Sequence, residues 1–111
     1  MIYSINVTET AKCDLREIAV GIAKAACDIA VGLNFVNRIE RHFMTLKDFP
    51  YAGSFPQDDI IRARGYRFLV YDDYLVFYTV NEQLQTVYID AVFNAKADYT
   101  RVMRNISVNR H

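Results

Sequence analysis

Residues 2–7 alternate in polarity, with Tyr3, Ile5 and Val7 on one side and Ser4 and Asn6 on the other. Period two with this much β-branched and aromatic weight predicts a strand with one inward face. The period then lengthens. Ala11, Leu15, Ile18, Ala19, Ile22 and Ala26 recur at helical spacing, behind a threonine at position 8 or 10 suited to cap the first turn. Asp14, Arg16, Glu17 and Lys24 fall off that stripe and read as a solvated surface. A break is expected near Ala25–Asp28, with Asp28 capping a second helix from about Ile29 to Lys47 through Leu33, Val36, Ile39, Phe43 and Leu46. Gly32, which costs about 1 kcal/mol against alanine in a helix, suits a close approach of the two helices. The pair forms an antiparallel helical hairpin.

Phe49-Pro50 ends the second helix, because proline has no N–H to donate. A loop from Tyr51 to Ile61 leads to the segment that organises the chain, Arg62 to Tyr99. It reads as three consecutive antiparallel strands, Arg67–Tyr71, Leu75–Val80 and Thr86–Phe93, with turns at Asp72–Tyr74 and Asn81–Gln83. Strict alternation in the last strand would set Val87, Ile89, Ala91 and Phe93 on one face and Tyr88, Asp90 and Val92 on the other. Helical composition from Ala95 to Met103 precedes a polar tail, frayed from about residue 104. The expected fold is α+β: an N-terminal strand, a helical hairpin packed on an antiparallel sheet of about four strands, and a short C-terminal helix. At 111 residues this is a single domain.

Composition narrows the function classes. Thirteen basic residues balance thirteen acidic ones, so any affinity for nucleic acid must come from local charge placement. Cys13 and Cys27 would lie about 21 Å apart on one helix, too far for a disulfide, and read as buried or half-buried free thiols. The N-terminus lacks the regions of a signal peptide and no apolar run could span a bilayer; a cytoplasmic protein is expected, with no membrane partner.

Neither a metal-site spacing nor a glycine-rich phosphate loop is present, so no metal and no cofactor is expected. His42 reads as a packing histidine, and His111 is the last residue. Charge placement remains. Arg62, Arg64 and Arg67 cluster at the entry to the sheet, and Lys96, Arg101, Arg104 and Arg110 outweigh Asp98 near the C-terminus. Brought onto one concave surface, these groups would suit a phosphodiester, since guanidinium binds phosphate oxygens bidentately. Tyr99, one turn from Lys96, would stack a base or donate a proton. The alternative is a solvated edge that guards the sheet against aggregation.

Several segments occur together in order: Thr8, Ala11, Asp14, Leu15 and Ile18; L-K-D-F-P-Y-A-G from Leu46 to Gly53; R-G-Y-R-F-L from Arg64 to Leu69; Y-L-V-F-Y-T-V from Tyr74 to Val80; T-V-Y-I from Thr86 to Ile89; and K-A-D-Y from Lys96 to Tyr99. As a set, from Tyr3 to about Met103, they resemble the RelE/ParE superfamily of toxins from bacterial type II toxin–antitoxin modules.

The resemblance implies a cognate antitoxin that wraps the toxin with an extended or helical tail and neutralises it. Apolar surface left on the helical hairpin or a sheet edge is the expected antitoxin-binding site, with self-association through that surface in its absence. The resemblance also implies one of two activities. A RelE-like toxin is a metal-independent endoribonuclease that cuts messenger RNA on the ribosome. Arg64, Arg67, Lys96 and Tyr99 would then be its catalytic residues, with Arg62 and Arg101 as RNA contacts. A ParE-like toxin inhibits DNA gyrase by protein contact; a non-toxic, decayed member is the third outcome. The chain departs from the nuclease pattern at Asn94, which cannot act as acid or base, and at Ala97, where relatives carry a second basic residue.

Overall fold

The computed structural model describes residues 2–105. Strand β1 (Ser4–Val7) leads through Thr8 into helix α1 (Glu9–Ala26), which turns back as α2 (Ile29–Met44) and a 3-10 turn at Thr45–Lys47. Short helix α3 (Asp59–Ala63) precedes β2 (Arg67–Tyr71), β3 (Tyr74–Asn81) and β4 (Thr86–Asn94), and α4 (Tyr99–Asn105) follows. The four strands form one sheet in the order β1-β4-β3-β2. The expected architecture is present, with one difference in strand direction. β2, β3 and β4 are antiparallel, but β1 runs parallel to β4, Ser4 opposite Thr86 and Val7 opposite Ile89. The hairpin, inserted between β1 and the rest, supplies the crossover such pairing needs.

Capping sets the helix ends. The Thr8 side chain accepts from Ala11 N–H, and Asp28 accepts from Ala30 N–H at 2.9 Å. Cys27 closes α1 in the left-handed conformation (φ 53°), its N–H donating to Lys24 O. The antiparallel return brings backbone against backbone at Gly32, where a Cβ would stand 2.5 Å from Ala19 O.

The hairpin packs on one face of the sheet. Leu15, Phe35, Ile39 and Phe43 meet Val76, Tyr78, Val87 and Ile89, and the Phe35 ring lies 5.1 Å from that of Tyr74. Leu33, expected on this stripe, is instead exposed, and Phe35 takes the core position. Both lie in an apolar-rich helix, and the phase is set by Gly32 facing α1. His42 is half-buried with its ring 5.1 Å from Tyr71, a packing role as read from the sequence. Both cysteines are exposed, not buried, Cys13 on α1 and Cys27 in the connection between the two helices.

β4 is buried along 87–92 because the sheet is covered on both faces. Its alternation is not strict. Tyr78 pairs with Ile89 and Phe77 with Ala91, so Asp90 is an extra residue bulged out of register. Val87 and Ile89 therefore point to the hairpin, while Ala91 and Phe93 point to the opposite face with Phe77, Tyr66, Ile61 and Met103. Asp90 is buried, accepting from Thr79 Oγ1 at 3.1 Å on its carboxylate and from Thr8 Oγ1 at 3.4 Å on its carbonyl. Two further bonds tie α1 to this stretch: Thr8 N–H donates to Ile89 O, and Val92 N–H donates to Asp14 Oδ2 at 3.0 Å. Asp14 is thus a half-buried strand cap rather than solvated surface.

The second face is closed by α3, which falls where a loop was expected, and by α4, through Ile61 and Met103. Arg104 and Asn105 belong to α4, not to a tail; Arg110 and His111 lie outside the described residues. No helix among the described residues is long and apolar enough to cross a membrane.

Gly32→Ala should destabilise the chain by about 1–3 kcal/mol, because the added methyl meets backbone that cannot yield without opening the hairpin. Urea unfolding would measure this, with Gly21→Ala as control, since a Cβ there meets nothing within 4 Å.

Candidate functional site

Five of the six sequence-picked residues are distributed around two elements of the fold, the 49–57 loop and α4. Proline at 50, buried, starts the loop, and Gly53 brings its backbone onto the sheet. Gly53 N–H donates to the Tyr78 hydroxyl at 2.8 Å, and a Cβ there would lie 2.6 Å from that oxygen. Ser54 then bridges to Phe68 by both backbone bonds, covering part of the β2 edge. The Tyr78 hydroxyl is fully buried, and burial raises its pKa above the ordinary tyrosine value.

Arg67 fastens this loop. Its guanidinium donates to Tyr51 O at 3.3 Å and to Gly53 O at 3.1 Å, and lies 5.0 Å from the Tyr51 ring centre and 4.1 Å from that of Phe55. A planar cation between two aromatic faces and two carbonyls is a clamp as well as a charge. The Tyr51 hydroxyl donates to Glu82, which pushes the tyrosine pKa up and holds the loop to the β3–β4 turn.

Arg64 works on the other face. It follows α3 and donates to the carbonyls of Met103 and Arg104, tying down the last turn of α4. Arg104 returns the connection: its Nε and Nη2 donate to Asp58 Oδ2 at 2.9 and 2.5 Å. Asp58 also caps α3, accepting from Ile60 and Ile61 N–H at 3.0 Å. The Arg104 guanidinium foremost, with those N–H groups, holds the Asp58 carboxyl below its ordinary value. Arg62 donates to Pro56 O at 2.9 Å.

The turn at Gly65, between the end of α3 and the start of β2, separates the pair expected to act together. Arg67 shares its face with Leu69 and Tyr71, which pack toward the hairpin, whereas Arg64 reaches the α4 side. Tyr99 is half-buried in an aromatic stack, 5.3 Å from Phe77 and 6.1 Å from Phe93. It lines a cleft of about 650 Å³ with Phe55, Phe68, Phe77 and the polar Ser54 and Asp58. Arg67 touches this cleft only through Phe55; Arg64, Lys96 and Arg101 do not line it. Lys96 is exposed in the turn after β4, where its N–H donates to Asn94 Oδ1 at 2.9 Å. Arg101 is exposed on α4. Among the described residues no cluster of histidine, cysteine or carboxylate side chains could hold a metal.

Sequence reasoning passed over Asp58, Tyr51 and Phe55, which organise these contacts. Asp58-Asp59 before Ile60-Ile61 carried a helix-start signal that could have found α3. Nothing in the sequence announces an aromatic clamp around Arg67.

Arg67→Ala should lower stability by about 1–3 kcal/mol, since it removes two hydrogen bonds and both stacking contacts. Limited proteolysis should cut earlier within 51–57, and Arg67→Lys should restore little, lacking the planar fork. Asp58→Asn keeps a capping oxygen but removes the charge. Because the folded-state pKa is depressed, its contribution is complete above the unfolded value near 3.9 and is lost as pH falls through the folded value. The variant should be less stable than the parent at neutral pH, and the gap should close below about pH 4 in urea midpoints followed into acid.

Comparison with known proteins accords with this geometry. The ParE toxin of the type II toxin–antitoxin system parDE is the family whose profile matches, over residues 5–99. Among solved structures, a chain of the chromosomal ParDE toxin–antitoxin system from P. aeruginosa superposes with a TM-score of 0.68 at 17% identity, covering 84% of this chain and 96% of that one. A chain of the RelBE2 toxin–antitoxin complex from Mycobacterium tuberculosis superposes with a TM-score of 0.57 at 21% identity, covering 85% and 99%. No curated protein matches the sequence. The match over residues 5–99 takes in β1 through the first residue of α4, and the chain belongs to the family of ParE toxins of type II toxin–antitoxin systems.

Proposed function

We propose that this chain is a toxin of the ParE kind, acting by protein contact on DNA gyrase in the cytoplasm and neutralised by a cognate antitoxin. The observation that carries the reading is the engagement of Arg64 and Arg67. Each guanidinium is occupied by backbone carbonyls, and by those of different elements: Arg64 by the end of α4, Arg67 by the 49–57 loop. Cleavage of a phosphodiester needs cations converging on one phosphate, preorganised for charge that develops in the transition state. Here Arg67, Lys96 and Tyr99 sit at a loop clamp, an exposed turn and an aromatic stack. Asn94, its amide spent on the turn, offers no acid or base. A zero net charge suits a protein target better than ribosomal RNA.

Induction of the chain alone in a bacterial host should arrest growth while the 5′ ends of messages stay unchanged within minutes. The purified chain should inhibit supercoiling by purified gyrase, and co-expressed antitoxin should restore growth. New in-frame cuts at ribosome-bound codons, with supercoiling unaffected, would overturn the reading in favour of the endoribonuclease.

A further inference from the structure

The outer side of the helical hairpin, away from the sheet, carries an apolar groove of about 630 Å³ between α1 and α2. Its floor is made by small residues, Ala19, Ala23 and Gly32, and its sides by large apolar ones that water still reaches. Val20, within α1, is 48% exposed, Leu33, within α2, 59%, and Ile29, the first residue of α2, 75%. A contiguous patch of this kind marks an interaction surface.

The charges on its rims are sorted by helix. Lys12, Arg16 and Lys24 line it from α1, and Asp28 and Glu40 from its α2 side. Their levels follow from the crossing at Gly32, which faces Ala19 and Ala23. Counting outward along antiparallel helices, Asp28 falls level with Lys24, and Glu40 with Lys12 and Arg16. Each end of the groove thus has a cation on one rim and an anion on the other.

We propose that two copies of this chain dock through this groove, related by a two-fold axis that runs along the hairpin helices. Such an axis keeps the turn end of one copy on the turn end of the other and sets α1 against the partner's α2. Lys24 then meets Asp28 across the interface and Arg16 meets Glu40, each pair twice. Lys12 contributes less, being paired with Glu9 at 3.4 Å within its own helix. An axis perpendicular to the helices would set α1 against α1, cation on cation, and is disfavoured by the same charges. Leu33, Val20 and Ile29 are buried between the two copies, and Cys27, in the connection between the helices, lies close to the axis. The inference rests on the groove alone and stands whatever the toxin's target.

Sedimentation or light scattering on the full chain without antitoxin should give twice the monomer mass. Leu33→Glu, on an exposed side chain, should weaken association about tenfold or more without changing circular dichroism, since tenfold is only about 1.4 kcal/mol. Arg16→Glu and Glu40→Lys should each weaken it, and an equimolar mixture of the two variants should associate better than either alone, because only the mixed dimer pairs opposite charges at both sites. A short bis-maleimide should join two copies through Cys27, so that Cys27→Ser abolishes the link and Cys13→Ser does not. A monomer at all accessible concentrations, a dimer indifferent to Leu33→Glu, or a mixture no better than its components would overturn the proposal. So would a monomer whose α1 and α2 amides gain exchange protection only on adding antitoxin, which would give the groove to the antitoxin.

Discussion

The fold depends on how the N-terminus of α1 is fastened to the bulge in β4. β1 ends opposite Ile89, and beyond that point β4 has no strand on that side to receive its polar groups. The first residues of α1 fill the gap: Thr8 donates to the carbonyls of Ile89 and Asp90, and Asp14 accepts the Val92 N–H. A buried N–H left unpaired would cost about 1–3 kcal/mol, so the helix cannot be shifted along the strand without penalty. Thr8 also caps α1 through the same hydroxyl. One residue thus fixes where the helix begins and where it sits on the sheet.

The bulge has a second consequence. By adding one residue it lets Val87 and Ile89 serve the hairpin core while Ala91 and Phe93 serve the opposite one. The face away from the hairpin therefore presents Phe68, Phe77 and Phe93, which must be covered. α3 and α4 do this with few residues, and helices of five and seven residues have little stability of their own. Arginine supplies the missing attachment: Arg64 takes the free carbonyls at the end of α4, and Arg104 joins α4 to the cap of α3. Surface ion pairs are individually weak, but here the pair is shared with a cap and a helix end, so one carboxylate, Asp58, serves three partners.

The hairpin, the three C-terminal strands and the cap at Asp28 were legible because each rests on local pattern or on a side chain with one strong habit. What was not legible required a partner distant in sequence. Period two cannot show a bulge, so the sides of Ala91 and Phe93 were misassigned. Leu33 and Phe35 are equally apolar, and only the crossing at Gly32 says which one faces the sheet. Asp14 reads as a surface carboxylate until Val92 is brought to it from seventy-eight residues away. The arginines were the hardest to read, because a guanidinium suits a phosphate, a carboxylate and a helix-end carbonyl alike. The sequence order Arg62, Arg64, Arg67 suggested one cluster, and the turn at Gly65 (φ 87°) takes them to different surfaces.

That separation bears on what the fold itself asks of these positions. The sheet, the hairpin and the loop held by Gly53 and Tyr78 need only apolar contacts and backbone bonds, and none of these constrains the chemistry at the rim. An arginine at the start of β2 stays useful to the fold by clamping the 49–57 loop even where no phosphate is bound. An arginine before it stays useful by anchoring α4. In this chain, then, both arginines of the R-G-Y-R segment have packing roles. The chain departs from the nuclease pattern at two positions near the end of β4. Here those positions hold Asn94 and Ala97, one a turn-former and the other without any functional group.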